Sequence, residues 1–128
     1  MKVYCGPFAL TFITKNRPEH CVNWVKAHRC DFRAVKSMWW HEMLDYLEYC
    51  KVPHVTHMNA RPKITLARWL RTYKRQLNRP YLVLITGHFV VIKNDILFDT
   101  GHPHGVPIRK YSKRRARVVR SAEVLQEL

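Results

Sequence analysis

The spacing of apolar positions divides this chain into a first half with helical periodicity and a second half built mostly of strand-like runs. Pro7 suits a first helical turn, where its missing N–H would have no partner, and Phe8, Leu10, Thr11, Phe12 and Ile13 continue the pattern, so Cys5 is expected just before a helix start. A second helix is predicted from near Pro18, with Cys21, Val22 and Val25 as its apolar stripe and Trp24 beside it. Ser37 is the expected N-cap of a third, running through Met38, Trp39, Met43, Leu44, Tyr46 and Leu47 to about Cys50, with Pro53 setting its limit. Val52 to Met58 alternates loosely and predicts a short strand. Thr65 then caps a fourth helix carrying Leu66, Trp69, Leu70, Tyr73 and Leu77, which Asn78 and Pro80 end.

Beyond Pro80 the period changes. Tyr81 to Thr86 is β-branched and apolar enough for a core strand, and His88 to Ile92 with Ile96 to Thr100 predict a hairpin around Asn94-Asp95. Gly101 to Pro107 reads as a loop, and Arg117 to Arg120 as a last strand before a polar tail. Helices followed by strands, without βαβ alternation, predict an α+β domain.

At 128 residues the expectation is one domain, 1–128, with a basic C-terminal segment from about residue 109. A content of 47% hydrophobic residues gives it material for a core without disulfides. No run approaches the roughly 18 apolar residues of a membrane span. The apolar stretch after Lys2 is broken by Gly6-Pro7 and lacks a small-residue cleavage site, so a signal peptide is not expected. Cys5, Cys21, Cys30 and Cys50 are then expected as reduced thiols in a cytoplasmic setting. The net charge of +14 favours nucleic acid or acidic proteins as partners, and it concentrates in Arg61 to Arg79 and Arg109 to Arg120. Solvated basic faces explain such runs equally well.

A thiol nucleophile acts as its thiolate, which a helix N-terminus and a neighbouring imidazolium both favour. Cys5 meets the first condition by position, and Gly6 would let a substrate carbonyl approach closely. The base is expected in the hairpin. With Asn94-Asp95 as a two-residue loop, Lys93 pairs with Ile96, Ile92 with Leu97, Val91 with Phe98 and Val90 with Asp99. His88, Val90, Ile92, Leu97 and Asp99 then share a face, and His88 and Asp99 become diagonal neighbours. An acid so placed fixes the tautomer of a catalytic histidine and stabilises its charged form.

The opening CGPFAL resembles the nucleophile segment of papain-like cysteine peptidases of the bacteriocin-processing kind, and GHFVVIKNDILFDTG resembles their later His-strand-turn-strand-Asp segment. The layout is also similar to short papain-like proteins of bacteriophages and bacteria. The resemblance covers Cys5 to about Thr100 and implies a papain-like fold: a Cys-bearing helix packed on an antiparallel sheet. It further implies hydrolysis of a peptide or isopeptide bond by a Cys5–His88–Asp99 triad, no cofactor, a protein or peptide substrate, and a host-cytoplasm or virion location for a phage-encoded member. The chain departs from the family at one point. Papain-like enzymes place a Gln several residues before the Cys as an oxyanion donor, and none of Met1 to Tyr4 is Gln. The Cys5 N–H is one replacement, and Asn16, Asn59 and Asn78 are candidates for the other.

Other clusters compete for a role. His20, Cys21, His28 and Cys30, and Cys50 with His54 and His57, offer metal-ligating types without the regular spacing of a zinc site, so no metal is expected. His102 and His104 lie near the hairpin as possible substrate contacts. Trp39-Trp40 is expected to split into one core and one surface residue, since helix neighbours cannot share a face. The main alternative function is a basic nucleic-acid- or protein-binding module, or an impaired pseudo-enzyme on the same fold, with Arg61, Arg68, Arg71, Lys74, Arg75 and Lys113 to Arg120 as its contacts.

Overall fold

The computed structural model describes residues 2–57 and 64–127. Four helices, α1 (Cys5–Thr14), α2 (Pro18–Arg29), α3 (Trp40–Tyr49) and α4 (Leu66–Thr72), accompany six strands: β1 (His54–His57), β2 (Tyr81–Ile85), β3 (His88–Lys93), β4 (Ile96–Asp99), β5 (His102–Pro107) and β6 (Val118–Val124). The strands form one open sheet in the order β1-β6-β2-β3-β4-β5, with every neighbouring pair antiparallel. The α+β class follows directly. Among the described residues no helix is long and apolar enough to cross a membrane.

Side chains alternate across the sheet, and each face carries its own core. On one face α1, α2 and α3 bury Leu10, Ile13, Val25, Met43 and Leu47 against Leu82, Phe89 and Val91. On the other, Leu66 and Trp69 of α4, with Ile108 and Tyr111, cover Val83, Ile85, Val90, Ile92 and Leu97.

Several element boundaries differ from the sequence expectation for identifiable reasons. Cys5 is the first residue of α1 rather than the residue before it. Helix α3 starts two residues later than Ser37 predicts, because the Glu42 carboxylate reaches back to accept the Trp39 N–H at 2.8 Å and the Ser37 carbonyl is taken by Arg29 at 2.7 Å. Thr65 does cap α4, its hydroxyl accepting from the Arg68 N–H at 3.1 Å. The helix nevertheless stops at Thr72. Tyr73 turns extended, its ring stacked 5.0 Å from Trp69, and Leu77 is left exposed in a turn.

The predicted loop after Gly101 is instead strand β5. It lies at the edge of the sheet, where Pro103 and Pro107 cost no ladder hydrogen bond. Gly105, at φ +95°, lets it pack closely, since a Cβ there would come within 2.5 Å of Ile96 Cγ2. The short final strand is longer than expected and central: β6 runs between β1 and β2 with Val118, Ser121, Ala122 and Val124 buried. Met58 and Arg61, part of the expected strand and basic run, fall outside the described residues.

Candidate active site

The β3–β4 hairpin closes on Asn94-Asp95 in the expected register, pairing Lys93 with Ile96, Ile92 with Leu97 and Val91 with Phe98. Asn94 takes the left-handed conformation at φ 56° that such a tight turn requires. Continued by one residue, this register sets Asp99 opposite Val90 and diagonal to His88. The two side chains meet: His88 Nε2 lies 2.9 Å from Asp99 Oδ2. An ionised carboxylate only accepts, so Nε2 carries the proton and Nδ1 is the ring nitrogen left over.

The His88 ring also meets the thiol. Alternation puts His88 and Asp99 on the sheet face away from α1, yet the Cys5 side chain and the His88 ring are hydrogen-bonded. The meeting point lies at the open end of β3. Beyond the Val91–Phe98 pair β4 no longer occupies the ladder, and the Phe89 N–H, free of a strand partner there, donates to the Cys5 sulfur. Helix α1 delivers the sulfur to this gap from its first residue, so the helix dipole also acts on it.

These contacts set the protonation states. Burial pushes the Cys5 thiol up, but the His88 ring and the backbone N–H groups of Phe89 and Gly6 outweigh it and hold the thiol below its ordinary 9.0. His88 is held above its ordinary 6.5, first by its hydrogen bond to Cys5 and then, against burial, by Asp99. Burial pushes the Asp99 carboxyl up, and the combined donors His88, Tyr111 and His102 bring it below 3.8. The three shifts share one direction: each favours a thiolate, an imidazolium and a carboxylate side by side.

Two partners of Asp99 were not assigned from the sequence. Tyr111 donates its hydroxyl to Asp99 Oδ2 at 2.8 Å, and His102 Nδ1 lies 3.0 Å from Asp99 Oδ1, so a carboxylate only 4% exposed is satisfied from three sides. His102 reaches it across the two-residue β4–β5 turn, where Asp99 and His102 form the closing pair. Its spacing of three from Asp99 is the signal that a hairpin reading of DTGH would have provided. Tyr111 stands as a lone aromatic within RKYSKRR, a stretch whose charge masks a buried residue.

Protein-family models, curated proteins and solved structures give no match to the chain.

Several expected contributors lie elsewhere. Gly6 packs closely, since a Cβ there would come within 3.2 Å of Met38 Cγ and Sδ. Asn16, beyond the far end of α1, donates to the Tyr46 hydroxyl at 3.1 Å and the Cys50 sulfur at 3.4 Å. Asn78 donates to Glu127 at 3.1 Å. Neither amide can serve as the oxyanion donor, and Asn59 is outside the described residues. The Cys5 N–H, at the unpaired start of α1, remains as one donor. The metal-type clusters are dispersed among other partners: His20 bonds the Tyr46 hydroxyl, His28 the Trp24 carbonyl, His54 the Val52 carbonyl, and His57 faces Glu123. Among the described residues no group of three or more His, Cys, Asp or Glu side chains is arranged to hold a metal ion. Trp39 is 69% exposed while Trp40 lies parallel to Phe89, the division expected of helix neighbours.

Proposed function

We propose that this chain is a thiol hydrolase of papain-like fold that cleaves peptide or isopeptide bonds. The observation that carries the reading is the Cys5–His88–Asp99 chain of side-chain contacts, with Asp99 held from three sides. In this mechanism the Cys5 thiolate attacks the substrate carbonyl, forming a carbon–sulfur bond and an oxyanion that the Cys5 N–H stabilises. His88 gives its Nδ1 proton to the amine as the carbon–nitrogen bond breaks, leaving a thioester. Nδ1 then takes a proton from water, whose oxygen displaces the sulfur and releases the acid. Asp99 holds Nε2–H throughout and stabilises the charged ring.

Substoichiometric iodoacetamide followed by peptide mapping tests the reading. Cys30 is exposed and Cys21 is buried with its thiol pushed up to about 12, so accessibility alone favours Cys30. The label is expected on Cys5, which is partly buried but activated. Labelling led by Cys30 would sink the proposal.

A further inference from the structure

On the sheet face opposite α1–α3, a cleft of about 440 Å³ opens between α4, the β4 hairpin end and the single 3-10 turn at Ile108–Lys110. Ala67, Leu70 and Ile108 give it an aliphatic part, and four arginines line it. Three segments of chain supply them: Arg71 from α4, Arg75 just past its end, Arg109 from the 3-10 turn and Arg114 from the turns before β6. Asp95 is the one acid lining the cleft, and it is 81% exposed on its side chain and already 3.3 Å from Arg75. The Arg75 side chain is only 10% exposed, and beyond Asp95 and the Asn94 carbonyl at 2.7 Å its buried Nε has no partner among the described residues. Arg71, Arg109 and Arg114 form no ion pair among the described residues. A second hollow of about 460 Å³ shares Ala67 and Arg114 with the first and adds Lys110 and Arg115.

A largely buried guanidinium and three exposed neighbours without ion pairs, around one concavity with a single acid, concentrate positive charge that an anionic ligand would complement. The charge runs along two joined hollows, which suits consecutive phosphates rather than one small ion. Arginine forks match phosphate oxygens in pairs, and an aliphatic part suits sugars and bases more than a fully hydrated anion. We infer that this groove binds single-stranded nucleic acid through its phosphate backbone, independently of sequence and of the Cys5 thiol.

Fluorescence anisotropy of a labelled oligo-dT or oligo-rU, measured from 50 to 200 mM salt, tests it. The wild-type chain is expected to bind with log Kd rising linearly in log salt, and Cys5→Ala to bind alike. Arg71→Ala/Arg114→Ala should weaken binding about tenfold or more and reduce the salt slope by about 1.4, at roughly 0.7 per lost phosphate contact on a single strand. Arg17→Ala/Lys36→Ala removes the same charge from exposed positions in the helical half and should leave both quantities near wild type. An unchanged rate of Cys5 alkylation in the double arginine variant verifies its fold. The inference is overturned by no binding at 50 mM salt. Equal losses in the two double variants, which would make the effect one of net charge, also overturn it, as does full competition by pyrophosphate at equimolar phosphate.

Discussion

Replacing His88 with Ala is expected to slow alkylation of Cys5 at pH 7 by roughly thirtyfold or more, and to cut peptide hydrolysis by about 10²–10⁴-fold. In the intact site the thiol sits below 9.0 although burial pushes it up, because the His88 ring and two backbone N–H groups more than offset that burial. Without the ring, burial regains its weight and an unassisted thiol is only a few per cent ionised at pH 7. The pH dependence carries the sign of this coupling. Hydrolysis by the wild-type chain should rise with pH as the thiolate forms, at a midpoint below 9.0, and fall as the imidazolium loses its proton, at a midpoint above 6.5. Because thiol and ring titrate together, both limbs belong to the pair. In His88→Ala the alkylation limb should move upward past its wild-type position. A variant with the wild-type midpoint and rate would show that His88 does not activate Cys5.

The hairpin was legible in the sequence because two independent patterns agreed: an alternating apolar run on both sides of Asn94-Asp95, and a turn dipeptide suited to two residues. With a two-residue loop, the register the hairpin adopts, that agreement puts His88 and Asp99 on one face. Nothing local could say how Cys5 reaches a ring on the far face, since the answer depends on where β4 stops and a neighbouring strand leaves a gap. Tyr111 and the full length of strand β6 stayed hidden for a related reason. Both lie in a stretch dominated by Lys and Arg, yet their buried positions are fixed by pairing with β1 and β2 and by packing under Asp99, contacts far away in sequence. Helix α4 was overextended because Leu77 fits its periodicity, whereas the stacking of Tyr73 on Trp69 and the tie of Arg75 to the Asn94 carbonyl end it sooner.

In the proposed mechanism the Cys5 N–H at the helix start is one oxyanion donor, and the charged pair carries much of the remaining work. Transition-state stabilisation then leans more heavily on how firmly His88 is held. Asp99 supplies that hold, and two further side chains hold Asp99.

Substituting Asn for Asp99 should therefore lower Cys5 alkylation about tenfold or more at pH 7, and hydrolysis with it, while preserving the fold. The amide retains the shape and an oxygen for the Tyr111 hydroxyl, but it removes the negative charge that faces His88 and His102. Stability should fall by roughly 2–4 kcal/mol near pH 6, from the loss of a buried, charge-assisted network. The pH window follows from the two shifts. Asp99 lies below its ordinary value when folded, so its contribution is complete above about 3.9 and is lost as pH falls through the folded value. His88 lies above its ordinary value, so its contribution is complete below about 6.5 and is lost as pH rises through the folded value. The pair overlaps from about pH 4 to 6.5, where the difference between wild type and Asp99→Asn should be largest in urea unfolding and shrink toward either end. Tyr111→Phe is the comparison variant. It removes one donor to Oδ2 and keeps the charge, so it should cost less in thiol reactivity than Asp99→Asn even where the two cost similar stability. Equal thiol reactivity in Asp99→Asn and wild type would reduce Asp99 to a structural anchor for β4 and β5 and remove the third member of the proposed triad.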